Sequence, residues 1–413
     1  MDIPTRYKPG EQVKDYRMLR YLILNVCLLL VAQQPLAEVI HSDKHIQLAR
    51  EVATKSIVLL KNANNTLPLA KTIRVPYVTG PFAASSDMLI GNYYGISDSL
   101  VTILEGIAAK VSLGTSLNYR SGALPFHKNI NPLNWAPNVA KTADAVIAVV
   151  GLSADMEGEE VDAIASAARG DRVDISLPPN QVDYVKQLAE NKKGPLILVV
   201  ASGSPVDLSE LLPLAEAVLW IGYPGEQGGN AVADVLFGDA NPSGHLPLTF
   251  PKSLQDLPAY DNYSMAGRTY KFMSAPALYP FGFGLSYTTF SFNQLKLEQR
   301  RIDEGSPLRF SVEVENTGTV PGETVLQAYL SANVPGENEA ITQLKVFQRV
   351  SLAAKEKRRV ELIIDSKSLY IVNEAGARVW PEGEYTLAVG NSLPSSRSIE
   401  LGAAEHQYQV VAF

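Results

Sequence analysis

Residues 143–162 read ADAVIAVVGLSADMEGEEVD, an almost wholly apolar run followed at once by five carboxylates, Asp155, Glu157, Glu159, Glu160 and Asp162. A short continuous run rich in Val and Ile, closed by glycine, fits a strand buried on both faces of a parallel sheet. Open α/β sheets bind their ligands beyond the carboxyl ends of such strands. The acidic stretch is thus either a solvated loop or a place where one carboxyl does chemistry.

Working outward, the same grammar repeats. HIQLAREVATKSIVLLKN (45–62) reads as a helix feeding a strand, RVPYVTG (74–80) as a strand, and LVTILEGIAAKV (100–111) as an amphipathic helix. A helix is expected over NVAKTADAV before the apolar strand, and another over PPNQVDYVKQLAENK (178–192) after the acidic loop. PLILVVASG (195–203), AVLWIGYPG (217–225) and GGNAVADVLFG (228–238) complete a strand, strand, helix series. Apolar strands alternating with helices predict a layered α/β domain with a mostly parallel sheet over residues 41–250.

Between 251 and 290 the pattern dissolves into a Pro-, Gly- and aromatic-rich segment. So many rings predict an ordered linker packed on a surface rather than a floppy tether. Beyond it the period becomes two, in LRFSVEVEN (308–316), TVLQAYLSA (324–332), KVFQRVSL (345–352), RRVELIID (358–365) and GEYTLAVG (383–390). Short alternating strands separated by turn signals predict an all-β, immunoglobulin-like sandwich over 291–413.

With 413 residues, 46% apolar and 19% charged, the chain has material for two or three cores. Its 36 Lys and Arg against 43 Asp and Glu, a net charge of −7, leave no broad cationic surface, so nucleic acid is not an expected partner. One cysteine, Cys27, and five scattered histidines predict neither a disulfide nor a metal site, and no cofactor motif stands out. YLILNVCLLLVA (21–32) is too short for a membrane span of about 20 residues. It reads either as a signal h-region or, in preference, as a helix packing on another domain; the compartment stays open.

Several long strings occur together: VATKSIVLLKN (52–62), GNYYG (91–95) with VTILEGI (101–107), the glycine-rich 223–251 segment YPGEQGGNAVADVLFGDANPSGHLPLTFP, and GRTYKFMSAPALYPFGFGLSYTTF (267–290). In this order they resemble glycoside hydrolase family 3, the β-glucosidases and β-xylosidases, from about residue 41 onward. The resemblance implies an α/β sandwich followed by a fibronectin type III-like domain, the parts that follow a catalytic (β/α)8 barrel in that family. Residues 1–40, and VKDYRMLRYLILNVCLLLVAQQPL (13–36) in particular, resemble the end of the barrel and its connector. The barrel, with its nucleophilic aspartate, is expected to be missing from this chain and supplied separately or lost.

Residues 152–181, LSADMEGEEVDAIASAARGDRVDISLPPNQ, resemble the family's acid/base region. By that resemblance Glu157 is the expected acid/base, with Glu159 as the alternate. Asp171 and Arg172 are expected to orient the loop or reach sugar hydroxyls, although Arg172 also suits a surface ion pair. Asn92 and Tyr93 are candidate sugar contacts, although aromatic residues there suit an interdomain seam equally. PGEQGGN lacks the Gly-Lys-Ser/Thr ending of a phosphate loop, so close packing is the better reading. The implied ligand is a β-linked oligosaccharide, and the implied protein partner is a barrel-domain chain or a second copy through 21–32. The competing expectation is a non-catalytic carbohydrate-binding or interaction module on the same scaffold, and the isolated chain is expected to show little or no turnover.

Overall fold

The computed structural model describes residues 41–413 apart from 93, 96, 132, 159–162, 164, 166–169, 334–339 and 374. The readings of 1–40 and of 21–32, and the candidate residues Glu159 and Tyr93, lie outside the described residues. From Arg50 onward the chain forms one compact unit.

A six-stranded sheet dominates its first half, built from β1 (Val58–Asn62), β2 (Pro76–Thr79), β3 (Asn118–Arg120), β4 (Ala145–Gly151), β5 (Leu196–Ala201) and β6 (Ala217–Trp220). The order is β1-β6-β5-β4-β2-β3, parallel throughout except that β1 runs antiparallel to β6 at the edge. Strand alternation divides the apolar runs between two cores. Val146, Ala148, Val150, Leu198 and Val200 face one side with Val185 and Leu188, while Ile147, Val149, Ile197, Val199 and Leu219 face the other with Ile103, Ile107, Val232 and Leu236.

The α-helices that pack with this sheet are α1 (Asp43–Ser56), α2 (Asp87–Ile90), α3 (Ile103–Lys110), α4 (Ala136–Val139), α5 (Ala154–Glu157), α6 (Pro179–Asn191) and α7 (Gly228–Leu236). The helix expected over NVAKTADAV shrinks to α4, because Ala145 and Val146 already belong to the ladders that β4 makes with β2 and β5. α3 begins at a capping box between Thr102 and Glu105. It packs on α7 glycine to glycine: a Cβ on Gly106 would lie 2.0 Å from the Gly229 carbonyl oxygen, and one on Gly229 would lie 1.9 Å from that of Thr102. The Gly229 N–H donates to Val101 and the Gly225 N–H to Leu89, so PGEQGGN spends these donors within the fold. On α7, Asp234 accepts a bidentate pair from Arg50 at 2.6 and 2.7 Å and a third bond from Lys110 at 2.5 Å.

The second half contains two antiparallel sheets, β11-β8-β7 and β10-β9-β14-β15. The first comprises β7 (Phe290–Leu297), β8 (Leu308–Asn316) and β11 (Lys357–Ile364), and the second β9 (Gly322–Ala332), β10 (Gln343–Leu352), β14 (Glu384–Gly390) and β15 (Gln407–Ala412). A small hairpin, β12 (Ile371–Val372) and β13 (Arg378–Val379), stands apart. Alternate residues Leu308, Phe310, Val312 and Val314 enter one core with Val360, Leu362 and Ile364.

The aromatic segment before β7 packs its rings against the β-sheets that follow. Tyr270 stacks on Phe281 with centroids 4.1 Å apart and meets Tyr329 edge-on. Buried Gln327 donates to the carbonyls of Gly282 and Asn391 while accepting from Tyr329. Close by, His245 Nδ1 meets the Ser243 carbonyl at 3.1 Å, and its buried Nε2 has no partner. Burial, aided by nearby Arg349, pushes the His245 imidazole down to about 4.

Gly229→Ala forces α3 and α7 apart and should lower stability by about 1–3 kcal/mol in urea melts; an unchanged midpoint contradicts the glycine contact. His245 is neutral in the fold, whereas the unfolded chain takes up the proton near pH 6.5. Its contribution is therefore complete above pH 6.5 and is lost as pH falls towards 4. Because part of the residue reaches solvent, the loss should be about 2 kcal/mol between pH 7 and 4.5, and smaller in His245→Gln.

Candidate active site

β4 ends at Gly151, where φ is +144° and a Cβ would sit 1.8 Å from the Ala201 carbonyl oxygen. Only glycine allows β4 and β5 to remain this close while the chain turns out. Fully buried Gln181, in the first turn of α6, closes the strand end. Its Oε1 accepts from the Gly151 N–H at 2.8 Å, and its Nε2 donates to the carbonyls of Gly151 at 2.9 Å and Pro125 at 2.7 Å. The chain then makes the single turn of α5, whose last residue is Glu157.

That turn carries the Glu157 side chain back over the ends of β5 and β6, where the side chain is 9% exposed. Oε2 accepts from the Gly203 N–H at 2.7 Å and from the Tyr223 hydroxyl. Oε1 accepts from the Ser204 N–H at 3.1 Å and from the Ser204 hydroxyl. The Arg172 guanidinium lies 3.6 Å from Oε1. Arg172 itself donates to Ser204 Oγ at 2.9 Å and to the Ser176 carbonyl at 2.8 Å. Glycines admit the neighbours: a Cβ on Gly203 would lie 2.9 Å from the Tyr223 ring, and one on Gly91 2.8 Å from it.

Burial raises the Tyr223 phenol above its ordinary value, and the adjacent Glu157 charge adds to the rise. Burial lowers the Arg172 guanidinium from its usual range, against the pull of Glu157 and Asp174. Two donors that cannot reverse, both backbone N–H groups, are joined by two hydroxyls that can turn from donor to acceptor. Such a cage can hold a carboxyl in either of its forms. Among the described residues no group of three or more His, Cys, Asp or Glu could hold a metal ion, and no helix is long and apolar enough to cross a membrane.

The structure brings together three of the residues singled out in the sequence. Glu157 and Arg172 meet through their side chains, and Asn92 Nδ2 donates to the Glu157 backbone carbonyl at 3.1 Å. Asp171 points elsewhere, accepting from the Tyr260 hydroxyl on the 251–290 segment. Gly203, Ser204 and Tyr223 escaped sequence reasoning. Their signal was positional, since ASGSP and GYPG follow β5 and β6 as the acidic loop follows β4.

Comparison with known proteins matches residues 57–287 to the glycosyl hydrolase family 3 C-terminal domain and residues 324–393 to a fibronectin type III-like domain. The chain belongs to glycosyl hydrolase family 3. A periplasmic β-glucosidase of Salmonella typhimurium is 36% identical over 383 residues, covering 84% of this chain and 49% of the relative. A β-xylosidase of Formosa agariphila is 34% identical over 363 residues, covering 85% of this chain and 49% of the relative. The solved structure of a β-glucosidase from Erythrobacter marinus superposes with a TM-score of 0.77 at 29% identity, covering 91% of this chain and 51% of that one. This family 3 chain thus spans about half the length of the curated relatives it matches.

The ion pair in the cage is open to a stability measurement. A double-mutant cycle between Glu157→Gln and Arg172→Met, read by urea unfolding, should give a coupling energy of about 1–3 kcal/mol, because both side chains are largely withdrawn from water. Additive effects would mean the two groups act independently.

Proposed function

We propose that the chain is the C-terminal portion of a retaining β-glycosidase that hydrolyses terminal gluco- or xylo-configured residues of β-linked oligosaccharides. In this reading Glu157 is the acid/base and a separate barrel domain contributes the nucleophilic carboxylate. The observation that carries it is the caged Glu157 carboxylate above the ends of β5 and β6, where an α/β sheet takes its ligands.

The chemistry needs two carboxyls about 5 Å apart. As the nucleophile attacks the anomeric carbon, Glu157 gives its proton to the departing glycosidic oxygen, and a covalent glycosyl ester forms. Glu157 then removes a proton from water, which attacks the same carbon and releases the sugar and the nucleophile. The Ser204 and Tyr223 hydroxyls accommodate both stages by rotating. Arg172 holds the side chain in place and balances its charge while the glycosyl ester stands, after the proton has been given and before another is taken from water. Asn92, bonded to the Glu157 backbone, positions the short helix. Asp171 and Tyr93 are proposed sugar contacts, and Glu159 remains the alternate proton donor.

Alone, the chain should show little or no turnover. Paired with a family 3 barrel domain, it should cleave aryl β-glucosides or β-xylosides, and Glu157→Gln should lower the rate by about 10²–10⁴-fold for poor leaving groups. Added azide should restore turnover on activated substrates and yield a glycosyl azide, since the small anion attacks the glycosyl ester without needing a base. An active pair indifferent to Glu157→Gln would remove Glu157 from the role. Sugar binding with no turnover in any pairing would favour the non-catalytic module.

A further inference from the structure

A cavity of about 280 Å³ lies where the α/β half of the unit meets the β-sandwich. Pro242 and His245 line it from the first half, Thr324 and Asn391 from the second, and Leu285 and Phe290 from the stretch that joins them. At about 30 Å³ per molecule it has room for roughly nine waters, far more than one ion or one bridging water fills. None of its lining residues belongs to the Glu157 cage.

Among the described residues six buried side-chain atoms have no hydrogen-bond partner, and three of the six belong to residues of this wall: His245 Nε2, Thr324 Oγ1 and Asn391 Oδ1. Thr324 is 1% and Asn391 7% exposed. Unpaired polar atoms are rare in a folded interior, so three around one cavity call for a partner from outside the chain. All three accept hydrogen bonds. His245 Nδ1 faces the Ser243 carbonyl, which has no proton to give, so Nδ1 carries the hydrogen and Nε2 a lone pair. Asn391 Oδ1 is a carbonyl oxygen, and the Thr324 hydroxyl accepts or donates as it turns. The other polar side chains of the wall are engaged within the protein. Ser286 donates to Asn241 and Thr288 to Asn316, and Thr289 bonds to Thr317. Glu323 brings a negative charge, which Arg349 balances at 2.6 Å while Ser351 donates to the other oxygen.

The guest that suits this wall brings several donors, no net charge, and an apolar face to lie against Pro242, Leu285 and Phe290. A metal or ammonium ion fits poorly, because the carboxylate that would balance it is already paired. A single pyranose ring meets all three demands, with hydroxyls around its edge and C–H groups on its faces. We propose that this cavity is a monosaccharide site without catalytic groups of its own, in which one neutral pyranose bridges the two halves of the unit through His245, Thr324 and Asn391. The site asks nothing of Glu157, so it stands or falls apart from the proton-donor reading.

The test is calorimetry and saturation-transfer NMR on the full chain with D-glucose, followed by a crystal structure of the chain grown with the sugar. Glucose should bind with a Kd on the order of 1 mM, and its ring should occupy the cavity in the crystal. Thr324→Val and Asn391→Leu keep the size of the side chain and remove the unpaired oxygen. Each should therefore leave the urea midpoint of the free chain unchanged or raised, while weakening glucose at least tenfold. A purely structural role for these oxygens would lower the midpoint and spare the affinity. The proposal is overturned by no glucose binding at tenfold the expected Kd, by affinity that survives both substitutions, by displacement of glucose with methylammonium, or by a cavity that holds only ordered water in the crystal. Binding needs no turnover, so each of these outcomes is separate from the Glu157→Gln rate test.

Discussion

The structure of the site depends on a contact too close for any side chain. At Gly151 the last residue of β4 lies against the Ala201 carbonyl of β5, and the two strands separate only there. Gln181 takes up both backbone groups that Gly151 would otherwise leave unsatisfied in the interior. With that strand end locked, a single helical turn suffices to bring Glu157 over β5 and β6. Its carboxylate then finds N–H groups that have no ladder partner because the strands stop. The geometry of the cage is thus a consequence of where three parallel strands end together.

A second constraint couples the two halves of the unit. The aromatic segment lies on the β-sandwich through Tyr270, Phe281 and Gln327, and its earlier part reaches Asp171 through Tyr260. One stretch of chain therefore packs against the β-sandwich and also reaches the residue next to Arg172. Arg268 pins the turn at 259–264. Its neighbour Tyr270 does link to the sandwich, accepting from the Leu344 N–H of β10.

Much of the fold was legible because burial writes itself into period. The runs at 145–150 and 196–201 are apolar at every position since both faces are covered, and β8 alternates since only one is. The strands that escaped notice carry weaker patterns for identifiable reasons. A bulge between Asn293 and Lys296 breaks the alternation of β7, and β15, QYQVVA, is a short edge strand whose apolar residues run together instead of alternating. β1 reads like its parallel neighbours, and its reversed direction follows from its place at the sheet edge beside β6, which no local pattern records.

The sequence by itself determined the two fold classes, the family, and the acidic loop as the place to look, because these rest on local periodicity and on strings of neighbouring residues. Tertiary structure decided which partners Glu157 has. Gly203, Ser204 and Tyr223 are 46, 47 and 66 positions away. Tertiary structure also separated Arg172 from Asp171, adjacent in sequence, and sent one to the carboxylate and the other to Tyr260. The physical reason is that a parallel sheet collects the carboxyl ends of strands scattered along the chain, and hydrogen-bond donors left over at those ends are assigned only when the strands come together.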